Sequence, residues 1–70
     1  MREMKKILTK RETQIFRGLV ANKTTQEIAK ELGISDKTVR NHISNVILKL
    51  DVKCRSQAIL ELLRCKEIEL

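Results

Sequence analysis

Apolar residues recur at intervals of three and four along most of the chain. Ile15, Phe16, Leu19 and Val20 form one set, and Ile28, Ala29 and Leu32 a second. Val39, Ile43, Val46, Ile47 and Leu50 form a third. Such spacing puts each set on one side of an α-helix. No stretch alternates apolar and polar residues over strand length, so the pattern predicts no sheet. A fourth run, Ala58, Ile59, Leu60, Leu62 and Leu63, covers an arc of about 200° on a helix. That arc is too wide to hide against one three-helix core.

Local chemistry marks the helix ends. Thr9 precedes Glu12 by three residues and Thr24 precedes Glu27 by three. Both are capping-box spacings, in which hydroxyl and carboxylate each accept a backbone N–H that the helix leaves unpaired. Ser35 is a third N-cap, with Asp36 favourable just inside the helix. Ile34 and Val39 stand at the spacing of a hydrophobic staple. A fourth start falls near Arg55–Ser56, with Ser56 as its cap. Asn22 and Gly33 follow the first two runs, and both residue types accept the left-handed conformation that ends helices. The pattern therefore predicts an all-α, compact four-helix domain, with helices at about 10–21, 25–32, 36–50 and 56–65.

Seventy residues hold one small domain. Residues 1–7 form a basic leading segment and residues 8–70 the domain. There is no proline, and only two glycines, which suits helices throughout. A chain this short is marginal alone, so a second subunit would help it.

Composition removes several functions. No apolar run is long enough to span a membrane, and the charged start has no signal-peptide segment after it. A cytoplasmic location is expected. Cys54, Cys65 and a single His, with no Cys-x-x-Cys, do not make a zinc site. No metal, cofactor or small-molecule ligand is expected, and both cysteines are read as free thiols. Phe16 is the one aromatic residue, which leaves little for stacking on single-stranded nucleic acid. No nucleophile–base pair, acid pair or phosphate loop can be assembled, so the chain is not read as an enzyme.

The second and third helices, joined by a short turn at Gly33, have the helix-turn-helix pattern. In such units the second helix enters the DNA major groove. The outward face of the third helix carries Lys37, Arg40, Asn41, Ser44 and Leu48. Arg can pair with the guanine O6/N7 edge, Asn with the adenine N6/N7 edge, and Ser with either. Lys37, Arg40, Asn41 and Ser44 are the candidate base-reading residues. A solvated charged face is the bland alternative, made less attractive by the turn pattern ahead of it. Leu48 is out of keeping and is expected beyond the groove or against another surface.

The net charge of +6 is uneven. Residues 1–17 carry +4, residues 30–55 carry +3 and residues 56–70 carry −1. Lys23, Thr24 and Thr25 open the second helix, where N–H groups, hydroxyls and an ammonium can hold a phosphate. Thr38 is grouped with them, and Lys49, Lys53 and Arg55 flank the far end. The fourth helix offers a dimer face, Leu60 and Leu63 ringed by Ser56, Gln57, Arg64 and Glu67. His42 is expected packed or facing phosphate, not as a pH switch.

Leu8-Thr9-Lys10-Arg11-Glu12, Lys23 to Ala29, Ser35 to Ile43 and Lys49 to Ala58 together resemble the LuxR-type helix-turn-helix family, most of all its stand-alone sporulation regulators. The match covers about residues 8–66, and the combination is highly specific. The resemblance implies a homodimer formed through the last helix on a roughly palindromic duplex. It implies base reading at Arg40, Asn41, Ser44 and Lys37. It also implies transcription control, often activation through contact with RNA polymerase. For Glu12, which projects from the apolar arc of the first helix, it implies Arg55 as the cationic partner. The family commonly has Gly where Asn22 and Lys66 stand. Asn takes the same backbone conformation, whereas Lys66 suits the helix dipole but not a left-handed cap. With no sensor or receiver domain in the sequence, activity is expected to follow protein amount or a partner. The competing class is a helical interaction module or RNA polymerase cofactor that reads little DNA itself.

Overall fold

In a computed structural model, which describes residues 8–65 and residue 68, the chain forms four helices. They are α1 (Lys10–Val20), α2 (Thr25–Leu32), α3 (Asp36–Leu50) and α4 (Arg55–Arg64). There is no strand among the described residues. The all-α expectation holds, with boundaries within one residue of those expected. The leading segment 1–7, Lys66 and Glu67 lie outside the described residues.

Both capping boxes form. Thr9 Oγ1 accepts the Glu12 N–H at 3.1 Å and Glu12 Oε1 accepts the Thr9 N–H at 2.9 Å. Thr24 and Glu27 repeat this at 3.0 and 2.8 Å. Ser35 Oγ accepts the Thr38 N–H at 3.0 Å. Three helices then end on one device. Asn22, Gly33 and Asp51 have φ of 67°, 71° and 57°. The next N–H in each case reaches back five residues, Lys23 to Gly18, Ile34 to Ala29 and Val52 to Ile47, at 3.0, 3.0 and 3.2 Å. This Schellman geometry satisfies carbonyls at the helix end and turns the chain back. Asp51 was not foreseen in that role.

The start of α4 corrects an expectation. Cys54, not Ser56, is its N-cap, and the Cys54 side chain makes no capping hydrogen bond. A substitute comes from inside the helix, where Gln57 Oε1 accepts the Lys53 N–H at 2.9 Å.

α3 packs against each of the other three helices. Ile15 and Phe16 of α1, Ile28 and Ala29 of α2, Val39, Ile43 and Val46 of α3, and Ala58 and Leu62 of α4 make the core. Leu8 and Ile68, ahead of the first helix and beyond the last, are also buried. Periodicity within helices could not reveal either one.

Glu12 is 5% exposed. Its cation is Lys49, whose Nζ lies 2.8 Å from Glu12 Oε1, and not Arg55, which is exposed at the first position of α4. Arg55 was nominated by resemblance, but Lys49 in the last turn of α3 is the residue that reaches the carboxylate. The same oxygen accepts the Thr9 N–H, so capping and ion pairing combine on one group. Burial raises the Glu12 pKa. The Lys49 hydrogen bond, the Thr9 N–H and the charges of Lys49 and His42 more than offset this, and the carboxyl titrates below its ordinary value.

Gly18 lies where α1 meets α2. A Cβ there would sit 2.8 Å from Cγ1 and 2.9 Å from Cδ1 of Ile28, which is itself 2% exposed. Ile28 therefore has little room to yield.

Gly18→Ala is expected to lower stability despite Ala's better helix propensity. Overpacking costs about 1–3 kcal/mol against a propensity gain of at most about 1 kcal/mol. An unchanged urea midpoint would refute the close contact. Lys49→Ala should cost about 1–3 kcal/mol, because a buried acceptor loses its donor. Arg55→Ala should leave the midpoint within about 0.5 kcal/mol, as an exposed side chain does. The pH dependence follows from the lowered Glu12 pKa. Its stabilisation is complete above the unfolded value of about 4.3 and is lost as pH falls through the lower folded value. Urea midpoints of Glu12→Gln should therefore vary less with pH on the acid side than those of the unchanged chain.

Candidate nucleic-acid interface

The apolar side of α3 faces the core through Val39, Ile43 and Val46. Its other side is therefore turned out. Lys37, Arg40, Asn41 and Ser44 are all exposed. Leu48 continues that face and is 76% exposed. The structure thus groups all four candidate base readers on one accessible helix surface, which no other described residue covers.

Arg40 and Lys23 have neighbours that spacing alone did not single out. Arg40 Nη2 forms an ion pair with Asp36 Oδ2, one turn earlier. The i,i+4 spacing of an acid before a base was the available signal. Asp36 Oδ1 is buried and has no hydrogen-bond partner among the described residues. Lys23 Nζ lies 2.8 and 2.7 Å from the two carboxylate oxygens of Glu31. Eight residues separate them, too far for a spacing rule.

The candidate phosphate group divides in two. Thr24 caps α2 with its hydroxyl, and Thr38 shares a 2.8 Å hydrogen bond with Ser35 Oγ. Thr25 is half-buried at the first position of α2. Lys49 is engaged by Glu12. Lys53 and Arg55 are exposed around the start of α4. His42 is half-buried, near enough to Glu12 for its charge to act there.

On α4, Leu60 is 62% exposed. Leu63 does not point wholly away as expected, because it is partly buried against the core. Ser56 and Gln57 are exposed, and Gln57 is engaged in capping α4. Arg64 Nη1 lies 3.2 Å from Glu61 Oε1. Glu67 lies outside the described residues.

Among the described residues, no group of three or more His, Cys, Asp and Glu side chains is placed to hold a metal, and no helix is long and apolar enough to cross a membrane. Cys54 and Cys65 are free thiols.

A family model described as bacterial regulatory proteins, luxR family, matches residues 6–62. The chain belongs to the luxR family of bacterial regulatory proteins. Spore germination protein GerE of Bacillus subtilis (strain 168) is 63% identical over 68 residues, covering 97% of this chain and 92% of GerE. A solved structure of the transcription factor GerE superposes with a TM-score of 0.91 at 57% identity, covering 93% of this chain and 97% of that one. Transcriptional regulatory protein LiaR of the same strain is 51% identical over 51 residues, but this chain spans only 24% of it. The luxR-family assignment makes the chain a DNA-binding transcription regulator, not an enzyme. The matched residues include α2, Gly33 and α3.

Proposed function

We propose that this luxR-family chain binds double-stranded DNA sequence-specifically as a homodimer and controls sporulation-type genes. α3 enters the major groove, and Lys37, Arg40, Asn41 and Ser44 read base edges. The observation that carries this is the exposed polar face of α3, backed by a fully apolar inner face. Similarity to a spore germination protein over nearly its whole length supports the sporulation role.

Phosphates are held around that helix. The opening turn of α2, with Lys23, Thr24 and Thr25, offers backbone N–H groups to one of them. Lys53 and Arg55 serve the far side, and Thr38 and Lys49 lend polar groups beside the reading face. Lys23 exchanges Glu31 for a phosphate when DNA binds, a small cost because exposed ion pairs contribute little.

The second subunit joins through α4. Leu60 is an exposed leucine on a helix whose Leu62 is buried and whose Leu63 is partly buried. Ser56, Gln57, Leu63, Arg64 and Glu67 border it. Two copies related by a two-fold axis would set two α3 helices about 34–36 Å apart, matching a roughly palindromic site. Acting in the bacterial cytoplasm on the nucleoid, such a dimer activates transcription by contacting RNA polymerase.

Selection of bound sequences from a random duplex pool tests this reading. An enriched motif with two half-sites and affinity falling steeply with salt is expected. Sequence-blind, salt-independent association would overturn it in favour of an interaction module. Arg40→Ala should relax preference at one base position by about 1–3 kcal/mol, whereas Lys23→Ala should weaken all sequences alike. Leu60→Asp should reduce affinity for the full site and halve the stoichiometry on DNA, with the melting temperature of the free chain retained. Leu60 is the better probe than Leu63, whose half-buried position ties it to folding.

A further inference from the structure

Asp36 is the one acidic residue of α3, and it stands beside the face that reads bases. Its carboxylate is divided. Oδ1 is buried without a hydrogen-bond partner among the described residues, and Oδ2 pairs with Arg40 Nη2. The Asp36 side chain is 28% exposed and that of Arg40 is 64% exposed. Helix stability explains an acid at this position, since a carboxylate suits the positive end of the helix. It does not explain the pair. An exposed i,i+4 pair returns little stability, less than an unpaired buried acceptor takes away.

The geometry supplies another reason. At 100° per residue, Asp36 lies about 40° beyond Arg40, on the side away from Asn41, and about 6 Å nearer the start of α3. The pair therefore draws the Arg40 guanidinium back toward the first turn, the part of a recognition helix that meets base edges. A guanidinium has five N–H donors in a fixed fork. With Nη2 paired to Asp36, the remaining N–H groups of the fork can still match the O6 and N7 acceptors of guanine. A guanidinium already held in place loses less freedom on binding. The same carboxylate repels phosphates, which disfavours docking where Arg40 finds no guanine.

We propose that Asp36 is a specificity-determining positioning residue, which holds the Arg40 guanidinium toward the start of α3 for a single guanine and penalises other sequences. This rests on the reading of Arg40 as a base-contacting residue.

The test uses the full chain, a duplex selected from a random pool and a scrambled duplex of equal length. Affinities for both are measured by fluorescence anisotropy over a series of salt concentrations, with thermal melting of each variant. Asp36→Asn should lower the ratio of specific to non-specific affinity about tenfold, with the non-specific affinity equal or raised. Asp36→Glu should restore most of the ratio. In an Arg40→Ala background, Asp36→Asn should change the ratio no further. A proportional loss of both affinities by Asp36→Asn, together with a lower melting temperature, would mean that Asp36 only starts the helix, and would overturn the proposal. So would an unchanged ratio in Asp36→Asn while Arg40→Ala lowers it. If Arg40→Ala itself leaves the ratio unmoved, base reading by Arg40 is what fails, and the proposal falls with it.

Discussion

Val39, Ile43 and Val46 lock one side of α3 against the other three helices, and the opposite side can carry polar groups only because that lock holds. The three apolar residues recur at helical spacing, so they share one face. The exposed residues between them, Asn41 and Ser44 among them, can serve solvent or a ligand. A fully apolar α3 would bury more surface but would leave no polar face for a ligand. The fold resolves this by surrounding α3 on its apolar side alone. Gly18 belongs to the same arrangement, since its missing Cβ lets α1 and α2 close up on Ile28.

Electrostatics divides the cations into those that are engaged and those that are available. Glu12 fastens Lys49, and through it joins the first turn of α1 to the last turn of α3. This interaction is mostly shielded on the acid's side, so losing either partner would strand the other. The Lys23–Glu31 pair lies nearer solvent, and such a pair exchanges partners readily when a polyanion arrives. A basic total therefore overstates the number of cations ready for phosphate, and the distribution of acids decides which ones are.

The apolar surface left over tells a similar story on α4. Its wide arc predicted two leucines turned away from the core. The packed chain covers Leu63 in part and leaves Leu60 exposed. The core also recruits Leu8 and Ile68 from outside the helices. A small domain gains much of its burial from such additions, because four short helices alone enclose little volume.

The sequence by itself determined the helices, their order and which face of α3 is turned outward. Caps and Schellman turns are hydrogen bonds between residues three to five apart, so Thr9 with Glu12, Thr24 with Glu27, and Asn22 and Gly33 declare themselves by spacing. The helix-turn-helix and the luxR-family resemblance are legible for the same reason, since they consist of such local signals in a fixed order. Only tertiary structure decided what spacing cannot encode. Lys49 in place of Arg55 at Glu12, Ile28 against Gly18, Glu31 on Lys23 and the burial of Ile68 all join distant parts of the chain. Cys54 starting α4 without a side-chain cap also escaped, because no residue there advertises a cap. In these cases the partner is set by how helices cross, and many residues of the right type compete for each contact until the core has packed.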